Sequence, residues 1–460
     1  MNNTEFSALS LRNELLTNLL SLNFNQMTPI QAQSLPLMLK GLDVIAQAKT
    51  GSGKTAAFGL IALNNLNLAR HSVQALILCP TRELAEQVTQ ALRRLARLLP
   101  NVKILNLSGG IPMRPQLDSL KHGAHIIVGT PGRVQKHLDL ESLSLKHLQT
   151  LVLDEADRML DMGFEEAIKH VISFCPKQRQ TLLFSATYPE EISQLADAFM
   201  RTPTRVAIEE APNKLDITQA FYEVSSQTDK LAVLKALLYH HQSASTLIFC
   251  NTKDQTMHLS ARLTKEGFSA IPLNGDMEQA ARDLAMIRFS NHSCPILVAT
   301  DVAARGLDIK ALSAVINYDL AFDDDVHTHR IGRTGRAGQE GIALTLTTPA
   351  DAERLCVMEN NSRLTIPWAD ISALDTSNTT INKPEMVTLC FTAGRKNKIR
   401  PGDLLGALIK DAGLTADDIG KIDISTHHSY VAIQRIQLNK AYAFIKNGTL
   451  KGRKVSIKLV

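Results

Sequence analysis

At 460 residues the chain exceeds what one hydrophobic core usually spans, so two or three domains are expected. Its 44% apolar and 21% charged residues are those of an ordinary globular protein, and its six cysteines form no CxxC pair, which argues against a disulfide framework or a cysteine zinc site and suits a reducing cytosol. The first ten residues carry no basic stretch leading into an apolar core, and no run of 18 apolar residues occurs. Neither a signal peptide nor a membrane span is expected, and a cytoplasmic location is.

From Asp43 onward, short apolar runs alternate with longer helical patterns, the rhythm of a parallel sheet covered by helices. Val44–Ala46, Ala75–Leu78, Val102–Leu105, Ile126–Val128, Leu151–Leu153 and Thr181–Phe184 read as buried strands. The first of them runs into Ala48-Lys49-Thr50-Gly51-Ser52-Gly53-Lys54-Thr55 and then a helical stretch. That is the context of a phosphate-binding loop: glycines turn backbone N–H groups toward phosphates, and the helix N-terminus favours negative charge. Lys54 would reach the β- and γ-phosphates of ATP, and Thr55 would hold Mg²⁺. Ala48 stands where the general pattern has Gly.

Asp154-Glu155-Ala156-Asp157 follows the strand Leu151–Leu153. Acids at the carboxyl end of a buried parallel strand lie beside such a loop. Asp154 is placed to hold Mg²⁺ through water, and Glu155 to orient and deprotonate the attacking water.

The rhythm pauses near Arg201–Leu215, which holds two prolines, and resumes with Thr246–Phe249, Ala270–Leu273, Ile296–Ala299, Ala314–Ile316 and Ala343–Leu346. A second α/β domain follows, giving boundaries of 1–208 and 209–368. In His329-Arg330-Ile331-Gly332-Arg333-Thr334-Gly335-Arg336 the arginines recur every third residue, on one helical face or one loop edge.

Residues 369–383 are polar and weakly periodic and read as a second linker. Beyond it, Met386–Phe391, Ile419–Ile424, Tyr430–Ile433 and Val455–Val460 read as strands, and Asp403–Ala412 and Asn439–Lys446 as helices. The order βαββαβ over 384–460 is that of ferredoxin-like RNA-recognition modules. This segment holds 13 Lys and Arg against 6 Asp and Glu, a net +7, which leaves −2 for the other 383 residues out of a total of +5. Concentrated positive charge fits a module that meets phosphates.

The loop at 48–55 together with Asp154-Glu155-Ala156-Asp157 resembles the DEAD-box ATP-dependent RNA helicases. The resemblance runs from residue 6 to about 350 and takes in Pro80–Ala85, Gly109-Gly110, Thr130-Pro131-Gly132-Arg133 and Ser185-Ala186-Thr187. It implies two tandem RecA-like domains and an RNA-stimulated ATPase that separates short duplexes. It implies that Gln31 reads adenine and Phe6 stacks on it, a lone aromatic that packing would explain equally well. RNA contacts are implied for Arg82, Gly110, Thr130, Arg133, Gln279, Arg282, Thr300 and Asp301. Gly306 and Asp308 are implied to approach the nucleotide. Asp157, Ser185, Thr187 and His329 would couple hydrolysis to RNA. Arg333 and Arg336 would be arginine fingers, brought to the γ-phosphate when two domains close around ATP and RNA.

Residues 384–460 resemble the RNA-binding domain of the DbpA group of that family, in Arg400-Pro401-Gly402-Asp403 and Asp418–Ile422. The group implies recognition of a hairpin of large-subunit ribosomal RNA and delivery to ribosome precursor particles. The aromatic-rich stacking strand of such modules is absent, since Ser429–Ile433 offers only Tyr430. Contacts through Arg395, Lys396, Lys398, Arg400, Lys451, Arg453 and Lys454 are expected instead. An ATP-controlled RNA clamp and a DNA helicase are the competing readings.

Overall fold

The computed structural model describes residues 4–48, 51–188, 190–208, 217–304, 312–335, 340–362, 365–375, 377, 379–381, 383–441, 449–450 and 453–460. The chain divides into two compact units, Met1–Ala211 and, for the rest of the described chain, Pro212–Arg305 with Ile309–Val460.

The first unit is a seven-stranded parallel sheet. Its strands are β1 (Val44–Gln47), β2 (Ala75–Leu78), β3 (Ile104–Leu107), β4 (Ile126–Gly129), β5 (Thr150–Asp154), β6 (Gln180–Ser185) and β7 (Thr204–Ala207). Their order across the sheet is β3-β4-β2-β5-β6-β1-β7. Alternate residues serve opposite faces. Val44, Ile77, Val152, Leu182 and Phe184 pack on one side against Phe58 and Leu92, while Ile45, Leu76, Leu151, Leu153 and Leu183 pack on the other against Met159 and Ile168. Burial on both faces is why these strands read as unbroken apolar runs. β7 lies inside the stretch read from sequence as a pause, and it is a four-residue edge strand with only Val206 buried.

The second unit opens with a six-stranded parallel sheet, β8 (Ile217–Glu223), β9 (Thr246–Phe249), β10 (Ala270–Leu273), β11 (Ile296–Ala299), β12 (Ala314–Asn317) and β13 (Gly341–Thr347), ordered β10-β11-β9-β12-β13-β8. The stretch expected to be a free linker is strapped onto this domain. Ala369, Ile371, Leu374 and Ile381 pack against its core, and the Asp375 N–H donates to His240 Nδ1 at 2.9 Å.

The tail forms an antiparallel sheet of β14 (Met386–Phe391), β15 (Ile419–Ile424), β16 (Ser429–Gln434) and, past a small hairpin of β17 (Thr449–Leu450) and β18 (Arg453–Lys454), β19 (Ile457–Leu459). The order β15-β16-β14-β19 is the ferredoxin-like one. Val387, Leu389, Phe391, Val431 and Ile433 face a core built on the helix Pro401–Lys410. Most of the second expected helix, Asn439–Lys446, lies outside the described residues.

Candidate functional site

All the first unit's strands run parallel, so the segments that follow them share one edge of the sheet. Across that edge the order of strands separates two sets of residues. The segments after β1, β6 and β5 carry the phosphate loop, Ser185–Thr187 and Asp154–Asp157; those after β2, β4 and β3 carry Arg82, Thr130 with Arg133, and Gly110.

In the loop, Gly51 and Gly53 have φ of 90° and 96°, the left-handed region that glycine enters without strain. Gly53 is also hemmed in: a Cβ there would come within 2.5 Å of Gln31 Nε2. Gln31 holds the loop by donating to the Gly53 carbonyl at 3.0 Å, while its Oε1 accepts from the Thr28 N–H at 2.9 Å. Pro29 at the first helical position fixes this turn. Lys54 is buried and donates to the Ala48 carbonyl at 2.7 Å. Thr55 follows it in the first turn of the helix Lys54–Asn64, and Ser52 Oγ is buried with no partner among the described residues. Lys49 and Thr50 lie outside the described residues.

Asp154 is 3% exposed. Burial pushes its carboxyl up to about 7, helped by the charges of Glu155 and Asp157 and opposed by Lys54. A dication beside it would restore the carboxylate. The hydroxyl of Thr55 and the carboxylate of Asp154 are hard oxygen donors of the kind Mg²⁺ takes in ones and twos alongside phosphates and water. Accordingly, the described residues hold no protein-only cluster of three metal-ligating side chains.

Glu155 takes a left-handed backbone, φ 54° and ψ 53°, and its carboxylate accepts from Arg158 Nη1 at 3.1 Å in a buried pair. Asp157 is tied to the next strand end. Its Oδ2 accepts from the Ala186 N–H at 3.1 Å and from Thr187 N–H and Oγ1 at 2.9 and 3.0 Å, and its own N–H donates to Ser185 Oγ at 3.4 Å. Burial alone would raise this carboxyl, but the hydrogen bonds from Thr187 and Ser185 and the charge of Arg158 outweigh it and hold it below the usual range. Asp157 and the tripeptide Ser185-Ala186-Thr187 are thus in direct contact, which their separation in sequence does not reveal.

On the other half of the edge, the Arg82 guanidinium lies against Gly109, where a Cβ would meet Nε at 3.1 Å. Arg133 donates to the Ile111 carbonyl at 3.0 Å and to Gln116 Oε1 at 3.2 Å, and burial and the Arg82 charge lower its pKa. Two cations therefore face one surface with Gly110, at φ 74°, and the buried Thr130 that precedes the helix Pro131–Asp139. Phe6 is 4% exposed, edge-on to Phe24 with ring centroids 6.5 Å apart, and belongs to the apolar core.

The second sheet also gathers its residues at strand ends, around Arg330. This guanidinium, 1% exposed, makes two 2.7 Å bonds to the Asp301 carboxylate, bonds at 2.7 Å to the Asp319 carbonyl and Asn251 Oδ1, and lies 5.1 Å from the Phe249 ring centroid. Arg330 and Arg333 do not share a helical face: the helix Asp324–Ile331 stops before Arg333, and Arg330 is buried. Arg333, buried, lines a small cavity with His329 and Asp301; Arg336, Gly306 and Asp308 lie outside the described residues. Thr300 is buried at the end of β11, and both Asp301 oxygens are engaged by Arg330. Gln279 and Arg282 stand in the first turn of the helix Gln279–Ser290, where Gln279 donates to Asp283 at 2.8 Å.

In the tail, Arg395, Lys396, Lys398 and Arg400 are exposed on the segment between β14 and the helix Pro401–Lys410. That segment is pinned to the β15–β16 turn, with Arg395 N–H donating to the Ser425 carbonyl and Lys396 N–H to that of Thr426. Lys451 and the side chains of Arg453 and Lys454 are outside the described set. The sheet face opposite the core, where RNA-recognition modules stack bases, is partly covered. Thr388 there is fully buried, its hydroxyl bonded to Asn291 Nδ2 at 2.8 Å and Ser293 Oγ at 2.6 Å, and Lys421 reaches Ser290 Oγ at 3.0 Å. Tyr430 is pushed up to about 12 by burial, Cys390 and Asp283.

A phosphate loop and paired acids at the strand ends of the first parallel sheet define a P-loop nucleotide-binding class. Family models place the chain further. The DEAD/DEAH box helicase model matches residues 28–195, the helicase conserved C-terminal domain 229–338, and the DbpA RNA binding domain 388–459. The chain is 49% identical over 458 residues to the ATP-dependent RNA helicase DbpA of Escherichia coli (strain K12), covering 99% of this chain and all of that one. It is 42% identical over 360 residues to the ATP-dependent RNA helicase CshA of Limosilactobacillus reuteri, covering 78% and 72%. Among solved structures, S. cerevisiae Dbp5 bound to RNA and ADP BeF3 matches with a TM-score of 0.73 at 31% identity, over 81% of this chain and 97% of that one. The chain belongs to the DEAD-box ATP-dependent RNA helicases, of DbpA type, with a C-terminal RNA-binding domain. No described helix is long and apolar enough to cross a membrane.

Proposed function

We propose that the edge formed by β1, β6 and β5 hydrolyses ATP with Mg²⁺, and that the adjacent edge of β2, β4 and β3 grips the RNA backbone. Lys54 binds the β- and γ-phosphates, Thr55 and Asp154 hold Mg²⁺, and Glu155 orients and deprotonates the attacking water. When bound, Mg²⁺ neutralises charge on the phosphates. Arg333 and Arg336 supply cations to the transferring phosphoryl group, a contribution of about 10³–10⁵ in rate in related reactions. Asp157, through Ser185 and Thr187, passes the state of the nucleotide to the RNA-gripping residues, with His329 serving the same coupling in the second unit.

The observation that carries this reading is the set of buried, under-satisfied groups at one strand edge: Ser52 Oγ, without a partner among the described residues, and Asp154, pushed up to about 7. Beside a glycine-rich loop at strand ends, such groups fit a nucleotide site.

The tail directs the enzyme to a hairpin of large-subunit ribosomal RNA, which places it on ribosome precursor particles in the cytoplasm. The exposed Arg395–Arg400 segment supports recognition through backbone and shape, and the covered sheet face argues against stacking of several bases. The test compares stimulation of the ATPase by ribosomal RNA fragments, bulk RNA and DNA. One large-subunit fragment should stimulate far above all others; equal stimulation by every RNA would reject the hairpin assignment.

A further inference from the structure

Arg158 is absent from every role assigned above, yet it is one of the least exposed charged residues in the first unit, its side chain 2% exposed. It stands in the first turn of the short helix Ala156–Asp161. Its Nη1 meets the Glu155 carboxylate at 3.1 Å, and its backbone N–H donates to Asp157 Oδ1 at 3.0 Å. Its other terminal nitrogen, Nη2, is buried with no hydrogen-bond partner among the described residues.

Two features of this arrangement oppose stability. Glu155 holds a left-handed backbone that non-glycine residues adopt at a cost. A buried guanidinium with an unfilled donor is costly as well, and a well-packed apolar pair would serve the fold as well or better. Strain and incomplete satisfaction concentrated on one residue pair beside a phosphate site are the marks of a group kept for geometry rather than for stability.

We propose that Arg158 is a positioning residue for ATP hydrolysis: it fixes the Glu155 carboxylate in the orientation that receives the proton of the attacking water. The inference rests on the reading of Glu155 as the base. A carboxylate on a flexible side chain samples several rotamers. A buried guanidinium, carried on a backbone tied to Asp157 Oδ1, selects one of them, and a small misplacement of a catalytic group is felt strongly in the rate.

The full-length chain at saturating RNA supplies the test, with Arg158→Met and Arg158→Lys each made alone and together with Glu155→Gln. Either single Arg158 variant should lower kcat by about tenfold or more while KM for ATP shifts by less than about threefold. In the Glu155→Gln background the same changes should lower the residual rate by less than about twofold, because the residue acts only through Glu155. Thermal unfolding separates this from lost folding, and the Glu155→Gln/Arg158→Met pair removes both charges and so keeps a folded comparison. Equal losses in both backgrounds, or an unchanged kcat in the folded single variants, overturn the proposal. Glu155→Gln with undiminished turnover overturns the base assignment itself, a different outcome from either.

Discussion

The two parallel sheets place charged groups at the same edge, the carboxyl ends of their strands, yet hold them in opposite ways. In the first, Asp154 is buried beside two other carboxylates, Ser52 Oγ and Arg158 Nη2 lack partners among the described residues, and Glu155 sits in a strained backbone. In the second, Arg330 is saturated, with both Asp301 oxygens, Asn251 and the Asp319 carbonyl around one guanidinium. In the first sheet these groups flank the proposed ATP site, and in the second the saturated guanidinium fixes neighbouring elements. Arg330 ties the helix Asp324–Ile331, which carries His329, to the segments that follow β9, β11 and β12.

The strongest way to break this contrast is Arg330→Met. Leaving the partly buried Asp301 carboxylate without the buried guanidinium should destabilise the second unit by about 3–5 kcal/mol in urea unfolding of the full chain. Adding Asp301→Leu should recover most of that loss. A single variant as stable as the parent would remove Arg330 from its place as a node.

The pH dependence of the same neighbourhood sharpens the point. His327, 5% exposed, is lowered from 6.5 to about 4, by burial first and then by the Arg330 charge, with Asp324 opposing. A folded pKa below the unfolded one favours the neutral ring in the fold. Its contribution is therefore complete above pH 6.5 and is lost as pH falls toward 4, about 3 kcal/mol in all. His327→Gln should flatten stability across that window; an unchanged slope would assign the loss to other groups.

A smaller effect is expected where the tail meets the second domain. Thr388→Val strips Asn291 and Ser293 of their shared partner at a cost of about 1–3 kcal/mol. Hydrogen exchange at 291–293 and 386–391 should quicken together; protection unchanged at both would mean that the contact does not hold the tail.

The same contrast explains what was legible in the sequence. The phosphate loop and the acids could be read because strand, loop and helix are contiguous, and strands buried on both faces advertise themselves as apolar runs. The half-exposed β7 offered no such run. The strap at 369–383 looked like a linker because Ala369, Ile371, Leu374 and Ile381 are irregularly spaced among polar residues, although all four pack on the core. Arg330 and Arg333 are the same residue type in one motif, and spacing alone left one helical face or one loop edge open. The end of the helix at Ile331 excludes the shared face. Nor could sequence pair Arg158 with Glu155 or predict that Asn291 and Ser293 would cover Thr388, since those depend on a backbone conformation and on packing between domains.

The central claim is that the under-satisfied edge of the first sheet is where ATP is hydrolysed, with Glu155 as base. Glu155→Gln, assayed for ATP binding at equilibrium and for RNA-stimulated turnover, tests it most directly. ATP affinity should stay within a few-fold while turnover falls by about 10²–10⁴, the usual worth of a general base. Turnover equal to that of the parent, with binding intact, would contradict it.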